Sequence, residues 1–145
     1  MTKVCTPKMI EQFRSIDSVS EEIRRKEQEL SEWTKNQDST PGSIHTSRLT
    51  NIGVFCKYVE DYLALREELH PAETMTCLVR QLPPTETGLP IEIYAFCRET
   101  SLKKFEAIQG DIFDHILSSL PDFDLRPFQA LSAFSTSAHP SPLHA

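Results

Sequence analysis

Glycine is scarce in this sequence: there are four among 145 residues, at positions 42, 53, 88 and 110. That spacing leaves no Gly-rich loop of the kind that cradles a phosphate. Long apolar runs are absent too. Nothing approaches the roughly 20 consecutive apolar residues that span a bilayer, so these residues form no pore by themselves. Positive charge is in the minority, with 15 Lys and Arg against 21 Asp and Glu for a formal net charge of -6. That balance argues against a nucleic-acid-binding surface, which needs clustered Lys and Arg. Met1 to Ile10 lacks the apolar stretch of a secretion signal. The four cysteines, Cys5, Cys56, Cys77 and Cys97, include no C-x-x-C pair and no short Cys/His spacing. A structural zinc site is therefore not expected, and free, partly buried thiols in a reducing compartment are. Hydrophobic residues at 39% and charged residues at 25% are ordinary for a folded, soluble chain. The expectation is one compact domain with an appendage, intracellular and soluble.

The first segment reads as charged and helical. Thr6 can cap a helix whose first residue is Pro7, and Met9, Ile10, Phe13 and Ile16 follow on one face. Ser18-Val-Ser-Glu21 has the form of a capping box and predicts a second helix start. Ile16, Val19, Ile23, Leu30 and Trp33 make an a/d-like seam, interrupted by Lys26. Too few heptads are present for a long coiled coil, so a short amphipathic helix or hairpin against a neighbour is expected. Asn36 to Thr46 is a linker by composition, centred on Pro41-Gly42. On this basis residues 1–46 form a charged helical segment with its linker, and 47–129 a compact α+β unit. Residues 130–145 contain no Asp, Glu, Lys or Arg and read as a disordered tail.

The α+β unit predicts strand, helix, strand, strand, helix, strand. Leu49 to Gly53 is the first strand, and Asn51 and Gly53 shape the turn from it, Asn51 by bonding to local backbone and Gly53 by its permissive φ. Phe55, Tyr58, Val59, Tyr62 and Leu63 stripe a helix that must stop near His70-Pro71. Met75 to Leu82 and Leu89 to Cys97 are paired strands, joined by a hairpin loop whose Gly88 is available for a positive φ. Arg80 and Gln81 lie one on each strand face, so at least one should meet a partner surface. Leu102, Phe105, Ile108, Ile112, Ile116 and Leu120 define the second helix, which Pro121 ends. Gly110 within it costs about 1 kcal/mol against alanine, which suggests close packing. Asp124 to Gln129 supplies a last strand. This order is that of a ferredoxin-like βαββαβ fold, two helices on one face of a four-stranded antiparallel sheet. The bare sheet face then calls for a partner, with Tyr94 and Phe96 as contact candidates. Their plainer reading is that of half-exposed aromatics on the sheet.

Chemistry-bearing constellations are few. Asp111, Asp114 and His115 cluster on the second helix, and Asp111 and His115 share a face. Two ligands from one helix make no metal site, and a local Asp–His pair that helps anchor the helix is the plainer expectation. Cys56, read in the first turn of a helix, can have its thiol pKa lowered by the dipole. Cys77 and Cys97 fall in strand interiors. No catalytic residue, metal ligand or cofactor-binding residue is expected, and the chain is not expected to be an enzyme.

The distinctive strings are Arg48-Leu-Thr-Asn-Ile-Gly53 with Phe55 and Tyr58, Leu78-Val-Arg-Gln-Leu82, Gly88-Leu-Pro, Glu92-Ile-Tyr-Ala-Phe96 and Ile108-Gln-Gly-Asp-Ile-Phe-Asp-His115. In this order and spacing they resemble the C-terminal cytoplasmic region of bacterial mechanosensitive channels of small-conductance type, in the miniconductance branch. The resemblance runs from about Cys5 to Gln129. It implies a homo-heptamer whose hollow vestibule lies on the cytoplasmic side of the inner membrane, below a pore that opens in hypo-osmotic shock. Met9 to Gln37 resembles the charged helical insertion of that branch. The transmembrane helices, the pore-lining helix and most of the β-rich domain have no counterpart here, so a truncated piece is implied and channel activity does not carry over to it. Cys56 and Cys97 stand where the family has polar residues. The acidic balance, with Glu86 and Glu92 among its surface acids, would repeat around the ring and bias the solutes admitted. A second reading, of a different class, is a free-standing ferredoxin-like regulatory module that binds a small ligand at a subunit interface.

Overall fold

The computed structural model describes residues 2–36 and 49–129. The expected linker around Pro41-Gly42, the expected tail from Ala130 and the side chains of Leu30 and Trp33 lie outside the described residues. Helices α1 (Pro7–Arg14), α2 (Asp17–Asn36) and α3 (Asn51–Ala64) come first. Strands β1 (Leu78–Gln81) and β2 (Ile91–Tyr94) follow, then α4 (Leu102–Ser119) and a 3-10 turn, Leu120–Phe123.

Local chemistry explains most of these boundaries. The Thr6 side chain accepts a hydrogen bond from the Met9 N–H at 3.3 Å, and Pro7 takes the first helical position. The capping box at Ser18 does not form. Ser18 lies inside α2, which starts at Asp17, while the Ser20 hydroxyl donates to the Asp17 carbonyl and Glu21 pairs with Arg24. The break falls at Ser15–Ile16, and an Arg14–Glu27 ion pair at 2.6 Å fastens α1 to α2. Phe13, Val19 and Ile23, at 1% exposure or less, point from both helices into the same core as α3.

The first expected strand is not a strand. Thr50 caps α3, its hydroxyl accepting from the Gly53 N–H at 3.2 Å, so the backbone is helical from Asn51 onward. Only a two-residue antiparallel contact survives, with Thr50 bridging Val4 and the Cys5 N–H donating to the Leu49 carbonyl at 2.9 Å. Gly53 therefore serves the cap and not a strand-to-helix turn. A Cβ there would stand 3.1 Å from the Thr50 hydroxyl oxygen.

Strands β1 and β2 pair antiparallel, Leu78 opposite Tyr94 and Arg80 opposite Glu92. Beyond β2 the chain runs beside the segment after α3, with Leu69 bridging Cys97, the His70 N–H on the Phe96 carbonyl and the Arg98 N–H on the Glu68 carbonyl. The last expected strand, Asp124 to Gln129, is also absent. Asp124 adopts a left-handed conformation (φ 54°), which closes the 3-10 turn and redirects the chain. The architecture is thus mixed helix and strand, four helices and a two-stranded antiparallel sheet among the described residues.

Phe123 is the hub of the core. Its ring lies 5.2 Å from Phe13, 5.3 Å from Phe55 and 5.1 Å from Tyr58. Asn51, fully buried, holds that hub in place. Its Oδ1 accepts from the backbone N–H of Lys3 (2.9 Å) and of Ile52 (3.0 Å). Its Nδ2 donates to the carbonyls of Phe123 (3.2 Å) and Asp124 (3.4 Å). The bonding is thus long-range as well as local. Replacing Asn51 with alanine leaves buried backbone groups without partners, and the expected loss is about 3 kcal/mol. Urea unfolding of Asn51→Ala measures this; a loss under about 1 kcal/mol would show that the amide is not the tie described.

Candidate functional site

The second half of the molecule carries an apolar helix that its neighbours cover incompletely. Along α4 only Ile116 and Ser119 are buried. Leu102 is 73% exposed, Phe113 52% and Leu117 50%, with Phe128 beyond the helix at 63%. Phe113 and Leu117 line a groove of about 780 Å³, walled by Phe55, Leu89 and Ile116 and flanked by Phe128. Gly110 lies three and seven residues before Phe113 and Leu117, on the same helical face. A Cβ at Gly110 meets nothing within 4 Å, so the close packing expected there is not present within this chain.

His115 is the polar fastening of α4. Its Nε2 and the Tyr58 hydroxyl are 2.8 Å apart, and its ring stacks on Tyr62 with centroids 3.8 Å apart and planes 12° off parallel. The Tyr58 ring lies near-parallel to the His115 ring, 23° off, with centroids 5.9 Å apart. Burial, then the Asp122 charge, push the Tyr58 hydroxyl above its ordinary pKa, so it stays protonated and able to donate. The expected Asp–His pair does not form. Asp111 and Asp114 are exposed, and His115 turns to the tyrosines instead. Among the described residues no group of three His, Cys, Asp or Glu side chains is placed to hold a metal ion. Tyr58 and Tyr62 were not singled out as partners of His115. Their spacing of four puts both on one face of α3 and is the signal that points to them.

The sheet residues divide between two faces. Arg80 pairs with Glu92 across the strands on the face that also carries Leu78 and Tyr94. Tyr94 and Phe96 are 47% and 37% exposed and meet edge-on at 5.2 Å. Gln81 lies on the opposite face with Val79, is exposed, and its side chain reaches the Cys56 thiol. Gly88 closes the hairpin loop at φ 132°, exchanging backbone hydrogen bonds with Thr85.

The cysteines are free. Cys77 and Cys97 flank the two strands and are not in their interiors. Cys56 is the sixth residue of α3, beyond the reach of the first-turn dipole, and buried. Burial pushes its pKa up to about 11, against the small opposing effect of the Gln81 bond, so the expected lowering is reversed. No protein-family model and no solved structure matches the chain.

A thiol moved from 9.0 to about 11 carries on the order of a hundredfold less thiolate at pH 8. Alkylation of Cys56, followed by peptide mass spectrometry on the native protein, should lag an unfolded control by at least that factor. The raised value also means that the thiol's contribution to stability is complete below pH 9.0 and is lost as pH rises toward 11. A rate equal to that of the unfolded control would contradict the burial described.

Proposed function

We propose that this chain is a non-enzymatic assembly domain, the wall of the cytoplasmic vestibule of a mechanosensitive channel of small-conductance type. The observation that carries the assembly role is the uncovered apolar face of α4, where Leu102, Phe113 and Leu117 are half or more exposed. Phe113 and Leu117, adjacent on one face and beside the groove, are exposed apolar surface of the kind that a partner covers. The five strings that resemble the miniconductance branch supply the channel context, and three of them, at Leu78–Leu82, Glu92–Phe96 and Ile108–His115, build the sheet and α4. The order α3, β1, β2, α4 is the inner part of a βαββαβ succession and supports the ferredoxin-like reading. In that reading the outer strand positions fall at the Thr50–Val4 bridge and at the segment after Asp124.

Among the described residues no helix is long and apolar enough to cross a membrane. Conduction would therefore belong to other parts of the channel, and this domain would hold subunits in a ring on the cytoplasmic side. A ring requires a heterologous contact, in which two different patches of the same chain meet. The groove beside α4 and the Tyr94–Phe96 edge are two such patches, one concave and one projecting.

Native mass spectrometry across a concentration series tests this directly. A seven-subunit species is expected, and Leu117→Glu should abolish it while leaving the monomer's stability within about 0.5 kcal/mol, as for an exposed site. A wild-type chain that stays monomeric at every concentration would remove the assembly role from these residues. An assembly indifferent to Leu117→Glu would move the interface elsewhere.

A further inference from the structure

On the side of α3 opposite the apolar groove lies a second cavity, of about 450 Å³, formed by the C-terminal half of the helix, the chain that follows it and Arg98. Its volume is within the range of small-molecule sites, roughly 300–1,000 Å³. Arg66 is the unusual member. Its Nε is buried and has no hydrogen-bond partner. Its other nitrogens are held only loosely, at 3.4 Å from the Tyr62 hydroxyl and 3.3 Å from the Glu68 carboxylate. Charge-assisted bonds of this type are normally 2.7–2.9 Å, so the guanidinium is under-coordinated. The planar fork is positioned nonetheless, its centre 5.8 Å over the Tyr62 ring, which is itself stacked on His115.

Around Arg66 the charges are mixed. Arg98 also lines the cavity and makes no ion pair among the described residues. Lys57 is neutralised by Asp61 at 2.8 Å. Lys57 also reaches Glu60 at 3.8 Å, which leaves the carboxylates of Glu67 and Glu73 on the wall, beside an apolar floor of Leu63 and Leu69. A simple anion would meet this acid excess. A simple cation would leave the Arg66 Nε unmet. A ligand that carries both charges satisfies the two requirements together.

We propose that this cavity binds a free α-amino acid. Its carboxylate takes the unpaired Nε–H edge of the Arg66 guanidinium with Arg98, its ammonium takes the glutamate wall, and an apolar side chain rests on Leu63 and Leu69. The site lies apart from the α4 face and does not rest on the channel reading.

Isothermal titration calorimetry of the full chain tests this with L-valine, N-acetyl-L-valine and L-valinamide, the last two lacking one charge each. L-valine should bind saturably with a Kd on the order of 1 mM or tighter. Each blocked analogue should bind at least about tenfold more weakly. Arg66→Lys keeps the charge but removes the fork and should also lose about tenfold. Arg98→Gln, an exposed change, reads the same loss if the Arg66 variant folds poorly. No saturable heat with L-valine overturns the proposal, as does equal binding of either blocked analogue. Unchanged affinity in whichever of the two variants is folded overturns it as well.

Discussion

The fold depends on one buried amide. Asn51 begins α3, yet its hydrogen bonds reach the N-terminal strand-like segment at Lys3 and the 3-10 turn at Phe123 and Asp124. Three pieces of chain that are distant in sequence are tied at one atom group, in a place where water cannot substitute. The cost of leaving any of those backbone groups unpaired is what makes the geometry specific. Phe123, brought in by this tie, then gathers Phe13, Phe55 and Tyr58 around it, so the charged N-terminal helices share a core with α3. An ion pair between Lys3 and Asp124 closes the same junction from outside and holds the Asp124 carboxyl below its ordinary pKa. Being exposed, it adds little to what the amide already does.

The other half of the molecule is built differently. Strands β1 and β2 are four residues each, too short to cover both α3 and α4. Helix α4 is therefore fixed at its C-terminal end, by Ile116, Ser119 and the His115 contact with two tyrosines, and is poorly covered toward its N-terminus. A two-stranded sheet is marginal alone and draws its stability from the helix it packs against. The result is a well-determined core at the Asn51 end and apolar surface left over at the α4 end. That asymmetry follows from element lengths alone. It is why an interface is expected along α4 and not along α2, whose outer face carries ion pairs such as Arg25–Glu22 and Lys26–Glu29.

What the sequence made legible was mostly what is written in local periodicity. The apolar spacing from Leu102 to Leu120 located α4 to within a residue, and Thr6-Pro7 located the start of α1. The hairpin and the positive φ of Gly88 were legible because turn chemistry is local. The outer strands were not, because strand formation needs a partner backbone, and at Thr50 and Asp124 helix capping and a left-handed turn prevail instead. The capping box at Ser18 failed for a related reason: the Ile16 carbonyl already accepts from both Val19 and Ser20, so α2 begins earlier. Asn51 was legible as important but its distant partners were not, since nothing in spacing links position 51 to 3 and 123. His115 was read with the acids beside it in sequence, whereas the fold offered two aromatic rings from another helix. The cavity at Arg66 was invisible for the same reason, its charges being scattered from Lys57 to Arg98.

The two proposed surfaces are not physically independent. The Arg66 guanidinium lies over Tyr62, Tyr62 stacks on His115, and His115 is the polar contact that holds α4. A carboxylate drawn to the open edge of Arg66 would compete with Glu68 and the Tyr62 hydroxyl for the same cation. Any shift of the Tyr62 ring bears on His115, because the two rings stack with centroids 3.8 Å apart. Ligand occupancy and the seating of α4 would then be linked through a single ring. Such linkage is reciprocal: a ligand that changed how firmly α4 is seated would be bound more or less tightly, by the same factor, were the proposed neighbouring subunit to cover that helix. The direction of the effect is set by whether α4 must shift to be covered. Tyr62 is thus the residue through which the two proposed surfaces would be linked.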